Sequence, residues 1–175
     1  MEISLLSKES IKIKGKRTSF IVDPDNSLRV KEVFGPLLLL RKDTNIDVSK
    51  IGGEPLLVQG PGEYEFSGLK MTVVSCERDL IYTIDIDGLE VFLANVEVLK
   101  KIKDLTGDHS LVILKTNTLV DQSLIALLAP RLVILYGDKA GEEALALGKG
   151  KTLRVQKLKV QSEKLPEETE VVVLG

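Results

Sequence analysis

Residues 63–93 read EYEFSGLKMTVVSCERDLIYTIDIDGLEVFL, and this stretch decides the fold class. Apolar and polar residues alternate along most of it, which is the pattern of strands that bury one face. Ser67-Gly68 and Asp87-Gly88 stand between strand-like runs, and pairs of this kind form two-residue hairpin turns. The stretch therefore predicts an antiparallel meander.

The residues before this meander also predict short strands. Residues 11–14 alternate between isoleucine and lysine, and residues 18–22 form a second strand-like run that Asp23-Pro24 ends. Residues 37–40 are four leucines, which is typical of a strand that is buried on both faces. A further short strand is expected at residues 56–58.

The residues after the meander combine strands with helices. Apolar residues at helical spacing predict a helix over 98–105, stopped by Gly107, and Asp121 is a plausible N-cap for a helix over 122–129. A third helix is expected over 140–147, with strands at 111–114, 132–135, 153–160 and 170–174. Strands followed by strand–helix alternation predict an α+β, αββα sandwich, with two mixed sheets and helices outside them. Residues 1–175 are expected to form a single domain.

Composition excludes several classes of function. Lys and Arg number 24 against 26 Asp and Glu, so the basic excess of a nucleic-acid-binding protein is missing. The longest apolar run, 37–40, is far below the roughly 18 residues that cross a bilayer. The residues that follow Met1 lack the pattern of a secretory signal, and the single cysteine, Cys76, is typical of a reducing compartment. We therefore expect a cytoplasmic protein that contacts neither nucleic acid nor membrane.

The chain contains one histidine, His109, and one cysteine, Cys76. A zinc hydrolase usually needs two or three imidazole ligands with neighbours that orient them. One chain therefore cannot supply a soft-ligand metal site, and we expect no metal or other cofactor. His109 and Cys76 are each predicted to have packing roles.

Several motifs along the chain, taken in order, resemble one family. They are Ile21-Val22-Asp23-Pro24, Gly53-Glu54-Pro55, Gly60-Pro61-Gly62-Glu63-Tyr64-Glu65 with Ser67-Gly68, the hairpin at Asp87-Gly88, and Pro130-Arg131-Leu132-Val133-Ile134. Together they resemble the metallo-β-lactamase superfamily, in particular the small bacterial and archaeal branch that includes ascorbate-6-phosphate lactonase-like hydrolases. The resemblance implies an αββα sandwich and metal-dependent hydrolysis.

The positions that match the metal ligands of that family carry unsuitable residues. The family binds metal through a His-x-His-x-Asp-His motif, a bridging Asp and a late His. The matching positions here are Leu40, Lys42, Thr44, Asn45, Val96 and Gly137. Near the start, where the family usually has Gly-His-Ser, this chain has Ser7-Lys8-Glu9. Because a metal ion activates the attacking water in such enzymes, the inherited reaction is expected to be absent.

Polar side chains near these positions leave two interpretations open. Asp23, Lys42, Asp43, Asn45 and Asp79 could line a polar cleft for a small ligand, or they could be ordinary loop residues. Glu63 and Glu65 share one face of a strand and are predicted to be solvated.

The leading hypothesis is a metal-free, non-catalytic relative that acts by binding or assembly. Its partner would be a small ligand or a protein, and it could form a homo-oligomer. The alternative is a hydrolase of phosphodiesters, lactones or similar esters, with a site rebuilt from the polar cleft residues. A metal site shared between chains is disfavoured, since only His109 is available to build it.

Overall fold

The computed structural model describes residues 1–25, 35–51, 55–102, 109–148 and 153–175. Gly53-Glu54, Leu105 and Gly107 lie outside the described residues. The strands, in chain order, are β1 (Glu2–Ser7), β2 (Ser10–Lys14), β3 (Ser19–Val22), β4 (Leu37–Leu38), β5 (Leu57–Val58), β6 (Gly62–Phe66), β7 (Leu69–Cys76), β8 (Asp79–Ile86), β9 (Leu89–Asn95), β10 (Leu111–Lys115), β11 (Leu132–Tyr136), β12 (Leu153–Val155), β13 (Lys157–Lys159) and β14 (Glu170–Leu174). The α-helices are α1 (Gln122–Ala126) and α2 (Ala140–Ala146), and 3-10 helices span Val48–Lys50, Val96–Lys100 and Ser162–Lys164.

These strands form two mixed sheets. The first sheet has the order β13-β1-β2-β3-β4-β5, and its last two neighbour pairs are parallel. The second has the order β12-β14-β11-β10-β9-β8-β7-β6, parallel from β12 to β9 and antiparallel from β9 to β6. The predicted pair of mixed sheets is thus confirmed.

Two hairpin turns lie where the sequence predicts them. Ser67 and Asp87 have φ of 50° and 55°, and the glycine after each is also left-handed. This is the backbone geometry that favours an Asp-Gly or related pair in a two-residue turn. A third tight turn, at Glu77 (φ 55°) and Arg78, joins β7 to β8. The meander predicted from residues 63–93 is therefore the antiparallel half of the second sheet.

The structure differs from the sequence prediction at three elements. The strand predicted over 153–160 is two strands in different sheets, separated at Gln156, whose carbonyl accepts a hydrogen bond from the Leu5 N–H. The helix predicted to begin at 98 is a 3-10 helix over Val96–Lys100. Helix α1 ends at Ala126, earlier than predicted, and Asp121 caps it by accepting from the Ser123 N–H at 2.9 Å.

Two apolar layers hold the sandwich together. The larger layer lies between the sheets and includes Phe20, Leu40, Tyr82 and Ile113. The second lies on the outer face of the second sheet, where Ile125 of α1 and Ala144 of α2 are buried against it. Both described α-helices thus cover the second sheet. On the outer face of the first sheet, a small cluster around Ile21, Leu37 and Ile51 is buried. No helix in the described part of the chain is long and apolar enough to cross a membrane.

Glu143 of α2 is an acidic residue within the outer apolar layer. Its side chain is fully buried, and it accepts a hydrogen bond from the Val120 N–H at 3.1 Å. Burial raises the pKa of Glu143 above its usual value, although the Val120 hydrogen bond and the charge of Lys100 oppose this. A carboxyl group with a raised native pKa stabilises the fold below its unfolded pKa, and that contribution is lost as pH rises through the native pKa.

We therefore expect Glu143→Gln to raise the melting temperature at pH 8 and to change it little at pH 4. The amide keeps an oxygen for Val120 and removes the buried charge. Thermal denaturation at both pH values measures the effect. Glu142→Gln, at the exposed neighbour, is the control and should show no such pH-dependent gain. An equal gain for both variants would contradict the assignment to Glu143.

Candidate cleft at the strand ends

Three neighbouring parallel strands of the second sheet end at the same level. Asn95 of β9 and Tyr136 of β11 are both in register with Lys115 of β10. Neighbouring strands lie about 4.8 Å apart, so these residues are adjacent across the sheet. Two positions earlier, Ile113 belongs to the layer between the sheets. Because side chains alternate along a strand, all three residues point toward the first sheet at its edge.

Lys115 forms an ion-pair triad with two carboxylates from the first third of the chain. Its Nζ lies 2.7 Å from Glu9 Oε2 and 2.8 Å from Asp23 Oδ2. Lys115 and Asp23 are 12% and 11% exposed, and Glu9 is 38% exposed. The second oxygen of Asp23 accepts the Leu40 N–H at 2.8 Å. The triad therefore links the first sheet to the second at this edge.

Electrostatics stabilises the charged forms of Glu9 and Lys115 in the triad. For Glu9, partial burial favours the neutral acid, but hydrogen bonds from Lys115 and Asn117 outweigh it and lower the pKa. For Lys115, burial favours the neutral amine, but the charge and hydrogen bonds of Asp23 and Glu9 outweigh it and raise the pKa. Lys115 is thus held as a cation at neutral pH.

Tyr136 lies beside the triad and is fully buried. Its hydroxyl has no hydrogen-bond partner among the described residues. Burial raises the pKa of Tyr136 well above its usual value, and the nearby charges of Asp23 and Glu9 add to the effect. The hydroxyl is therefore a neutral, buried donor and acceptor beside the triad.

Asn117 and Gly137 lie beside the triad. Asn117 donates to Glu9 Oε2 at 3.1 Å, and its Oδ1 accepts the Asp138 N–H at 3.3 Å. Gly137 has φ of 105°, and a Cβ there would lie 2.7 Å from Asn117 Oδ1. At this position, which the resemblance matches to a metal ligand, the glycine serves backbone geometry and close packing.

The other positions that the resemblance matches to metal ligands divide between core and surface. Leu40 and Val96 are fully buried in the apolar layers. Lys42 and Asn45 are exposed, and Thr44 is half-buried.

The residues predicted to line a polar cleft lie in different surroundings. Asp23 belongs to the triad, whereas Asp79 is buried and accepts from Asn95 Nδ2 at 3.0 Å. Asp43 is on the surface between Arg41 and Arg78, at 3.2 and 3.3 Å. Lys42 and Asn45 point into solvent, as described above.

Sequence reasoning did not select Lys115, Tyr136 or Asn95, and it noted Glu9 only as a departure from a motif. A signal for the first three was present, since each is a polar residue that ends an apolar strand. In sheets with parallel strands, sites are found beyond the carboxyl ends of those strands. His109 and Cys76 lie elsewhere: His109 Nδ1 is 3.0 Å from Glu90 Oε1 with its ring against Phe92, and Cys76 is half-buried at the outer apolar layer.

The residues at this edge do not fit a divalent metal ion. Leu40 and Val96 offer no donor atom, and the carboxylates of Glu9 and Asp23 already neutralise the Lys115 ammonium. An ammonium group would repel a second cation at the same place. Within the described ranges, no group of three or more His, Cys, Asp or Glu side chains is arranged to hold a metal.

Solved structures share this architecture from end to end. A candidate Zn-dependent hydrolase of the metallo-β-lactamase superfamily from Thermotoga maritima matches with a TM-score of 0.70 and 16% identity, over 99% of this chain and 98% of its own. YhfI from Bacillus subtilis, a metallo-β-lactamase fold protein, matches with a TM-score of 0.59 and 7% identity, over 99% and 96%. A mutant of the β-hydroxylase CmlA matches with a TM-score of 0.60 and 9% identity, over 99% of this chain and 52% of its own. No protein-family model matches the sequence, and no curated protein does.

Proposed function

We propose that this chain, which has the metallo-β-lactamase fold, is a metal-free, non-catalytic protein that acts by binding or assembly. Its structural neighbours include a candidate hydrolase, so catalysis is the property that it would have lost. The finer placement near ascorbate-6-phosphate lactonases remains a prediction from the motifs that are spread along the sequence. A cytoplasmic location, and a small-molecule or protein partner, are part of the same proposal.

One observation carries this proposal. The ammonium of Lys115 lies between Glu9 and Asp23 at the strand ends, next to the positions where the resemblance implies metal ligands. An internal cation there supplies positive charge to the carboxylates without a coordination site for water or substrate. A lysine ammonium cannot lower the pKa of a bound water as a divalent ion does.

Metal analysis tests the proposal directly. Protein purified without chelator is expected to carry far less than one equivalent of zinc, manganese or iron by elemental mass spectrometry. Added Zn²⁺ or Mn²⁺ should not raise the melting temperature, whereas a bound ion at 100 times its Kd would stabilise by about 2.7 kcal/mol. Stoichiometric metal in the purified protein, or such stabilisation, would overturn the metal-free assignment.

A hydrolase with a rebuilt site is the second candidate, and one feature favours it. The buried hydroxyl of Tyr136 has no partner among the described residues and lies beside the charged triad. Phosphodiester, lactone and thioester substrates can be screened with and without divalent metal. Turnover that is lost in Tyr136→Phe but retained in Lys42→Ala would favour the enzyme. Rates equal to the buffer background in all variants would dismiss it.

A further inference from the structure

Part of the outer face of the second sheet is free of the two α-helices and carries alternating charge. Glu65 of β6, Lys70 of β7 and Asp85 of β8 are direct cross-strand neighbours, and all three are exposed. The row therefore reads negative, positive, negative across three strands. Glu90 of β9 extends it with another carboxylate directly opposite Asp85. Like charges placed opposite one another destabilise a sheet, and at this end of the row Glu90 has the imidazole of His109 as a partner, with Nδ1 at 3.0 Å from Oε1.

The outer face of the first sheet carries the reverse pattern. Lys159 of β13, Glu2 of β1 and Lys14 of β2 are direct cross-strand neighbours. Their row reads positive, negative, positive. Both lysines are exposed, and Glu2 is half-buried between them.

A second row of residues on each face adds to the same excess of charge, positive on the first sheet and negative on the second. On the first sheet, Ser4 lies between Lys157 and Lys12, which adds two positive charges. On the second sheet, Glu63 lies beside the uncharged Thr72. The basic face thus has four lysines around Glu2, and the acidic face has four carboxylates around Lys70. We call these the basic face and the acidic face.

The lysines of the basic face stabilise the charged form of Glu2. A hydrogen bond from Lys157 lowers the pKa of Glu2 against the opposing effect of burial, and the charges of Lys157, Lys159 and Lys14 add to the lowering. Lys157 Nζ lies 2.9 Å from Glu2 Oε1. One carboxylate therefore serves several lysines, and the face keeps an excess of positive charge.

We propose that the acidic face of one copy docks on the basic face of a second copy of this chain. The two charge rows are commensurate, because strand spacing is about 4.8 Å in both sheets. Glu65, Lys70 and Asp85 of one copy would then meet Lys159, Glu2 and Lys14 of the next. Each row supplies charges opposite to those of the other row. A partner surface that carries charges of only one sign would pair with only some of the charges in either row.

The geometry of this contact fixes the type of assembly. The two faces lie on opposite sides of the sandwich and differ from one another, so the contact is head-to-tail and leaves a free face at each end. Exposed ion pairs are individually weak and are screened by salt. We therefore expect a weak, concentration-dependent self-association that is strongest at low ionic strength.

Sedimentation velocity over a range of concentrations tests this inference. At 20 mM NaCl the chain is expected to form dimers and longer species, and 0.5 M NaCl should weaken the association at least tenfold. Glu65→Gln/Asp85→Asn, which neutralises the acidic face, should be monomeric under the same conditions. Lys14→Gln/Lys159→Gln, which neutralises the basic face, should also be monomeric.

Mixing Glu65→Gln/Asp85→Asn with Lys14→Gln/Lys159→Gln is the decisive experiment. Each retains one intact face, so an equimolar mixture should give a 1:1 dimer that does not grow further. Matched controls change charge elsewhere on the surface: Glu167→Gln/Glu168→Gln and Lys42→Gln/Lys100→Gln should associate as the unmodified chain does.

The inference is overturned if the chain stays monomeric at 20 mM NaCl or if the mixture of the two variants stays monomeric. It is also overturned if the association constant does not change with salt concentration or in the variants that neutralise one face. A foreign basic protein that binds the acidic face of a monomeric chain would overturn it as well. The inference deepens the assembly part of the proposed function and rests on it. Its failure is distinct from that of the metal-free assignment, since metal analysis and sedimentation are independent measurements.

Discussion

Lys115→Met is expected to lower the free energy of unfolding by about 3 kcal/mol at pH 7, the scale typical of removing one partner from a buried ion pair. Methionine fills a similar volume but leaves the carboxylates of Glu9 and Asp23 without their cation. Both carboxylates contact Lys115 within 2.8 Å. Urea denaturation at pH 7 measures the loss.

The loss should depend on pH in a defined direction. Because Lys115 lowers the native pKa of Glu9, the carboxylate stabilises the fold above its unfolded pKa, and this contribution disappears as pH falls through the native pKa. The raised native pKa of Lys115 has its effect at alkaline pH. Its contribution to the free energy of unfolding is complete below the unfolded lysine pKa and is lost as pH rises through the native pKa. The difference in free energy of unfolding between the unmodified chain and Lys115→Met should thus be largest between about pH 6 and 9, and it should become smaller toward pH 3.

A matched control separates charge from packing. Glu9→Gln/Asp23→Asn/Lys115→Met removes all three charges and is expected to recover part of the lost stability. If Lys115→Met were as stable as the unmodified chain at pH 7, the triad would have no structural role. A loss of the same size at pH 3 and pH 7 would point to packing instead.

Tyr82→Phe is expected to cost about 1–3 kcal/mol of unfolding free energy, the usual penalty for leaving a buried polar group unpaired. The Tyr82 hydroxyl lies in the layer between the sheets and donates to a carbonyl of the first sheet region. It is 2.6 Å from the Leu39 oxygen and 3.1 Å from the Val58 oxygen. Phenylalanine preserves the ring but leaves both carbonyls without this donor.

Tyr64→Phe is the matched control for Tyr82→Phe. Its hydroxyl donates to the Gly60 oxygen at 3.1 Å from a partly exposed position, so water can replace the lost bond. Chemical denaturation of the two variants should give a clearly larger loss for Tyr82. Equal losses would show that the hydroxyl of Tyr82 does not tie the two sheets together.

The antiparallel half of the second sheet was predictable because residues close together in the sequence determine its turns and its buried face. Ser67-Gly68 and Asp87-Gly88 fix the turns by their own backbone preferences, and alternation fixes which face is buried. The division at Gln156 was not predictable in this way. No Gly or Pro marks that position, and the switch between sheets depends on pairing with β1 and β14, which are distant in sequence.

The candidate cleft was harder to predict than the fold. Lys115 and Asp23 are 92 positions apart, and Asn117 and Glu9 are 108 apart, so no local pattern connects them. The ligand positions implied by the resemblance led to Leu40 and Gly137, which mark the neighbourhood of the cleft. The residues that carry its charge come from strand ends and from the first turn, and only the folded sheets bring them together.

The division at Gln156 also sets an order of events during synthesis on the ribosome. Strand β1 pairs on one side with β2, but its other neighbour is β13, which is translated after nearly all the rest of the described chain. Until then, β1 presents an open edge that could pair with another nascent chain. Closing this pair also requires a contact between distant parts of the chain, and such contacts slow folding. The pairing of β1 with β13 is therefore a folding step that is exposed to misassembly.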